Sequence, residues 1–80
     1  MKLIKHYILR YRLTKNVIKR IRRRLKKDDK RPFIFYLTEE LWKEREYIFN
    51  RINAQFPCIE IIGDWTEYIG EVTVLFHGEE

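Results

Sequence analysis

The sequence predicts a small two-layer domain of the α/β (or α+β) class: two helices on a mixed four-stranded sheet, in the order β-α-β-α-β-β. Three observations lead there. Short β-favouring runs alternate with segments of helical period. One strand-to-helix grammar occurs twice, because Leu9-Arg10-Tyr11-Arg12-Leu13-Thr14-Lys15-Asn16-Val17 matches Phe33-Ile34-Phe35-Tyr36-Leu37-Thr38-Glu39-Glu40-Leu41 at an offset of 24 residues. Two further apolar runs, with Gly63-Asp64 between them as a turn signal, close the chain.

Residues 2–12 admit two readings. Leu3, Tyr7, Leu9, Tyr11 and Leu13 alternate as a strand does, while Leu3, Ile4, Tyr7, Ile8 and Tyr11 also fit a helix that runs on to Leu25. The strand is preferred, since the helix leaves Leu9 and Leu13 on its polar side and breaks the repeated grammar. Thr14 then caps a first helix over residues 14–27, because a threonine hydroxyl accepts from the free amides of a first turn. Val17, Ile18, Ile21 and Leu25 gather on the face that helix buries.

Residues 32–37 are nearly all apolar, as expected of a strand covered on both faces. A second helix follows over residues 39–55, with Glu39 and Glu40 in the turn where the dipole favours negative charge. Leu41, Trp42, Ile48, Phe49 and Ile52 form its stripe, Arg45 interrupts it, and Pro57 ends it. Residues 58–62 and 72–76 are the last strands, the final one ending before Gly78. Right-handed crossovers make the first three strands parallel, and the last returns as an antiparallel hairpin.

Eighty residues make one domain over residues 1–80, and 45 % hydrophobic content with twelve aromatics builds its core without disulfides. Cys58 is the sole cysteine and is expected as a buried free thiol, which suits a cytoplasmic setting. Lys2, Lys5, Arg10 and Arg12 interrupt any apolar signal segment, and no run is long enough to span a bilayer.

Charge is distributed unevenly. Residues 1–31 hold seven Lys and seven Arg against Asp28 and Asp29, a net of +12. Residues 32–80 hold Lys43, Arg45 and Arg51 against nine Glu and Asp64, a net of −7, which together recover the overall +5. A chain so divided takes an anionic partner or pairs with itself.

Lys15, Lys19, Arg20, Arg22, Arg23, Arg24, Lys26 and Lys27 fill eight of fourteen positions of the first helix, with no acid before Asp28. No i,i+4 pair relieves their repulsion. Such a face gains by meeting phosphates, whose counterions are released. The competing explanation is a solvated face balanced by Glu39, Glu40, Glu44 and Glu46. An anionic membrane surface is set aside, because the apolar face is small, lacks Trp and belongs to the core.

Nucleic acid is therefore the expected partner, RNA slightly ahead of DNA, with Tyr7, Tyr11, Phe33 and Phe35 as stacking candidates on the sheet if they are not core. The rival reading is a small regulator or inhibitor that docks on another protein, for example an RNA- or DNA-processing enzyme. Trp65 and Tyr68 in the last loop fit either a protein contact or a hydrophobic cap over the sheet end. A homodimer is expected in either case.

No enzyme is expected. His6 and His77 could serve a ribonuclease as acid and base, but nothing in their spacing forces them together. Asp28-Asp29 lacks further ligands and reads as a helix-capping turn, so no metal site follows. Gly63, Gly70 and Gly78 are isolated and form no phosphate loop, so no cofactor is expected.

Overall fold

The computed structural model describes residues 2–77, and side chains from residue 7 onward; Gly78 lies outside the described residues. Lys2–Lys26 form one 25-residue helix, α1. The expected first strand is absent. Its Leu-Thr signal differs physically from the later one. Thr14 lies inside the helix, 4 % exposed, with its hydroxyl donating back to the Arg10 carbonyl at 2.8 Å. A mid-helix threonine satisfied in this way needs no cap position. Lys15 follows it, a charge disfavoured at a helix N-terminus, whereas Arg23, Arg24 and Lys26 in the last turn suit the C-terminal end.

Asp28 then turns the chain with φ 55°. Its amide donates to the Leu25 carbonyl at 3.1 Å, and that of Asp29 to Arg24 at 2.8 Å, the paired closing bonds of a Schellman motif. The Asp28-Asp29 pair is thus the capping turn the sequence suggested.

β1 (Phe33–Leu37) alternates buried and exposed, so it is covered on one face and not two. Thr38 does cap the next helix: its hydroxyl accepts from the Leu41 amide, and Glu39 and Glu40 follow. The single helix expected over residues 39–55 breaks into α2 (Glu39–Trp42) and α3 (Arg45–Gln55). A continuous helix would turn Arg45 toward the core. The break releases it, and its guanidinium donates to the Trp42 carbonyl at 2.8 Å and lies 4.5 Å from the indole centroid.

β2 (Ile59–Thr66) and β3 (Ile69–Phe76) form a hairpin closed by Glu67 and Tyr68, with Glu67 at φ 55°. Gly63-Asp64 is therefore mid-strand and not a turn. Trp42 lies across Gly70 and, with Phe49, against Gly63, so these glycines make room for rings. Cys58 precedes β2 and is exposed; the buried positions go to Phe56 and Ile59 on either side of the Pro57-Cys58 turn.

The sheet has three strands, ordered β1-β3-β2, with both pairings antiparallel. Phe33 sits opposite Val74 and Leu37 opposite Gly70, while Ile59 faces Phe76 and Thr66 faces Ile69. The mixed four-stranded sheet is thus corrected to a three-stranded antiparallel one in an α+β domain, because the missing strand removes the first β-α-β crossover. The core joins Val17, Ile18 and Ile21 of α1 and Ile48 and Ile52 of α3 to one sheet face, through Phe33, Phe35, Leu37, Ile59, Val72 and Val74. The opposite face is open.

Candidate nucleic-acid interface

Burying Val17, Ile18 and Ile21 dictates where the cations of α1 go, since a helix turns every 3.6 residues. Lys15, Lys19, Arg22 and Lys26, at i, i+4, i+7 and i+11, form one stripe. Arg20, Arg23, Arg24 and Lys27 form another. All eight are exposed except Arg24, which is half-buried. Leu25, expected in the core, is 39 % exposed near the end of α1.

The first stripe borders α3. Lys15, Lys19 and Arg22 line a groove of about 240 Å³ with Tyr11, Tyr47 and Arg51. Arg22 donates to the Gln55 side-chain oxygen at 2.7 Å across it. Lys15 lies 5.7 Å from the Tyr11 ring centroid. The second stripe lines a smaller cleft of about 120 Å³ formed by Arg20, Arg23, Arg24, Lys27 and Asp29. Here Arg20 and Arg24 cover Phe33, at 4.1 and 5.0 Å from its centroid.

Internal neutralisation is slight. Arg24 reaches Asp29 at 3.7 Å and donates to the Arg31 carbonyl. Asp29 itself is gripped by Arg31, whose Nε and Nη2 donate to its two oxygens, each at 2.9 Å. Those bonds, then the Arg31 amide and the nearby guanidinium charges, hold the Asp29 carboxyl well below the usual carboxylate range. The same pairing raises Arg31. Lys19, Arg23, Lys26 and Lys27 have no side-chain bond or ion pair among the described residues. Among the described residues, an ion pair that ties α1 to the acidic half is Arg10–Glu44 at 2.7 Å, outside the predicted set. None of Glu39, Glu40, Glu44 and Glu46 neutralises residues 15–27 among the described residues.

The stacking candidates divide. Phe33 and Phe35 are core, whereas Tyr7 and Tyr11 are exposed, on a helix and not on a sheet. Sequence reasoning missed Tyr47, Arg51 and Gln55 of α3, although their i, i+4, i+8 spacing marks one helical stripe. Trp65 packs on Trp42 with centroids 5.6 Å apart, a cap over the sheet end, while Tyr68 at the hairpin tip is 88 % exposed.

His77 Nε2 lies 2.9 Å from the Glu60 carboxylate. His6 is in α1, its side chain outside the described residues. The described residues contain no cluster of His, Cys, Asp or Glu fit to hold a metal, and no helix long and apolar enough to cross a membrane. Comparisons with protein-family models, curated proteins and solved structures give no match.

Proposed function

We propose that this chain binds nucleic acid, RNA in preference to DNA, through the cations of α1. The observation that carries the reading is the solvent-facing set Lys19, Arg23, Lys26 and Lys27, which no described carboxylate neutralises. Phosphates supply the missing charge and release their counterions. Contacts of this kind position a polymer without reading its bases, so sequence preference is weak. In this reading the protein binds and does no chemistry of its own.

Gel shift against single-stranded RNA, duplex RNA and DNA at several salt concentrations tests it. The logarithm of affinity falls linearly with the logarithm of salt, with a slope of about −0.7 per phosphate contacted on a single strand. Reversing Lys19, Arg23 and Lys27 to Glu abolishes binding and leaves the thermal melt in place. An affinity indifferent to salt refutes the reading.

One observation favours a second reading, a small regulator that docks on protein. The open sheet face exposes Ile34, Tyr36 and Ile62 beside Glu60 and Asp64. Apolar side chains ringed by acids suit a basic, apolar protein surface. A second copy of this chain offers one, and a homodimer is part of this proposal.

A further inference from the structure

We infer that the groove between α1 and α3 seats one unpaired nucleotide of a single-stranded nucleic acid, its base against Tyr11 and its phosphate among Lys15, Lys19, Arg22 and Arg51. The inference rests on the nucleic-acid reading above and adds which polymer form is bound, and where.

The groove is built before any ligand arrives. Arg22–Gln55 joins its two helices along one side, and Arg10–Glu44 joins α1 to the residue that precedes α3. Its floor is Ile18, 7 % exposed, and the buried Thr14, whose hydroxyl is already satisfied by the Arg10 carbonyl. Among the described residues no carboxylate lines the groove. Four cations so placed receive a phosphate with nothing to repel it.

Its aromatic wall distinguishes this groove from the second cleft. Tyr11 is 57 % exposed, and its ring, with the Lys15 ammonium no nearer than 5.7 Å to the centroid, is a platform for a base. Tyr47 already carries the Arg10 guanidinium 3.7 Å from its centroid, so it walls the groove and leaves stacking to Tyr11. Beside the other cleft the ring is Phe33, buried beneath Arg20 and Arg24, and Asp29 is part of that cleft's lining. That cleft suits backbone phosphates alone. At about 240 Å³ the groove is smaller than the roughly 300–1,000 Å³ of ordinary small-molecule sites. One residue of a polymer entering and leaving at open ends suits it better than a free metabolite. Paired bases are stacked inside a duplex and cannot reach the ring, so the site selects an unpaired one.

Fluorescence anisotropy with labelled 12-nucleotide single-stranded RNA, the matching DNA strand and the blunt duplex tests this on the full chain. Tyr11→Ala weakens single-strand binding by at least about fivefold, as expected for the loss of one stacked base, and leaves the duplex unchanged. Tyr11→Phe restores it. Arg51→Ala lowers the single-strand salt slope by about 0.7, the share of one phosphate. Tyr11 is exposed, so circular dichroism should show the variants keeping the wild-type melt. Equal weakening of strand and duplex by Tyr11→Ala, or no weakening while Arg23→Glu still reduces affinity, overturns the groove assignment alone. A wild-type chain that binds none of the three polymers overturns both the assignment and the function reading.

Discussion

Trp42 decides what positions 63 and 70 can hold. A Cβ at Gly70 would overlap the indole, with Cζ3 at 2.9 Å and Cδ2 at 3.0 Å. Replacing a strand glycine gains about 0.5–1 kcal/mol of chain entropy, whereas overpacking a filled site costs about 1–3 kcal/mol. At Gly70 the clash wins, so Gly70→Ala lowers stability by about 1–2 kcal/mol in a urea titration. At Gly63 the Trp42 and Phe49 atoms stand 3.1 and 3.2 Å away, and the two effects nearly cancel. A Gly70→Ala protein as stable as wild type would mean that Trp42 leaves the sheet freely. Asp29 brings pH into stability. Its folded-state affinity for protons is depressed, first by the Arg31 side-chain bonds. The stability it contributes is therefore complete above the unfolded carboxylate value of about 3.9 and is lost as pH falls through the lower folded value. Melting curves should show Asp29→Asn below wild type at pH 7, with the gap closing once pH drops below about 4. A gap unchanged in acid would assign the loss to shape instead of charge.

At the scale of elements, Arg10 fastens the first half of α1 to the rest of the molecule. It bonds Glu44 at 2.7 Å and lies 3.7 Å from the Tyr47 centroid, with its side chain 19 % exposed. An ion pair of this exposure contributes up to about 1 kcal/mol, and the ring contact a similar amount. Arg10→Ala thus costs about 1–2 kcal/mol by denaturant titration, and Arg10→Lys recovers only part of it. No loss at all would show that the contacts of α1 from Leu13 onward suffice to hold it. The same stretch shows how legible the fold was. The turn expected at Gly63-Asp64 lies at Glu67-Tyr68, whereas β1, the antiparallel return of the last strand and the helical character of residues 14–26 and 39–55 followed from local pattern. The state of residues 2–12 did not, because Leu9-Tyr11-Leu13 satisfies both periods. The neighbours of each threonine held the deciding signal: Thr38 precedes two glutamates and caps, whereas Thr14 precedes a lysine and does not. The break after Trp42 had a local hint in Arg45, which interrupts the apolar stripe, whereas the packing of Trp42 on glycines 21 and 28 residues later is invisible to local reading.

At the scale of the molecule, the charge division written along the chain becomes two surfaces. The outward position of the α1 cations was legible, because three buried aliphatics fix the rotation of a helix. The α3 side of the groove was not, since helix-to-helix packing decides which residues face each other across it. Glu60 and Asp64 lie on the open sheet face with Ile34, Tyr36 and Ile62, and α1 exposes Tyr7, Ile8 and Leu9 beside Arg12. One surface is acidic and apolar, the other basic and apolar. Under the homodimer reading proposed above, this part of α1 in one copy meets the sheet face of another, and a two-fold arrangement lets both contacts form at once. The strength of such a pairing divides between burial, which salt does not weaken, and attraction between exposed charges, which a Debye length of about 10 Å at 0.1 M salt largely screens. Sedimentation should give the mass of two chains at low salt and a shift toward one chain as salt rises. Ile62→Arg, which places a cation among the acids and removes an apolar contact, should yield one chain throughout, with its thermal melt near wild type. A single-chain mass for the wild type at low salt and high concentration would refute the pairing, and would leave the α1 cations to be judged on nucleic acid alone.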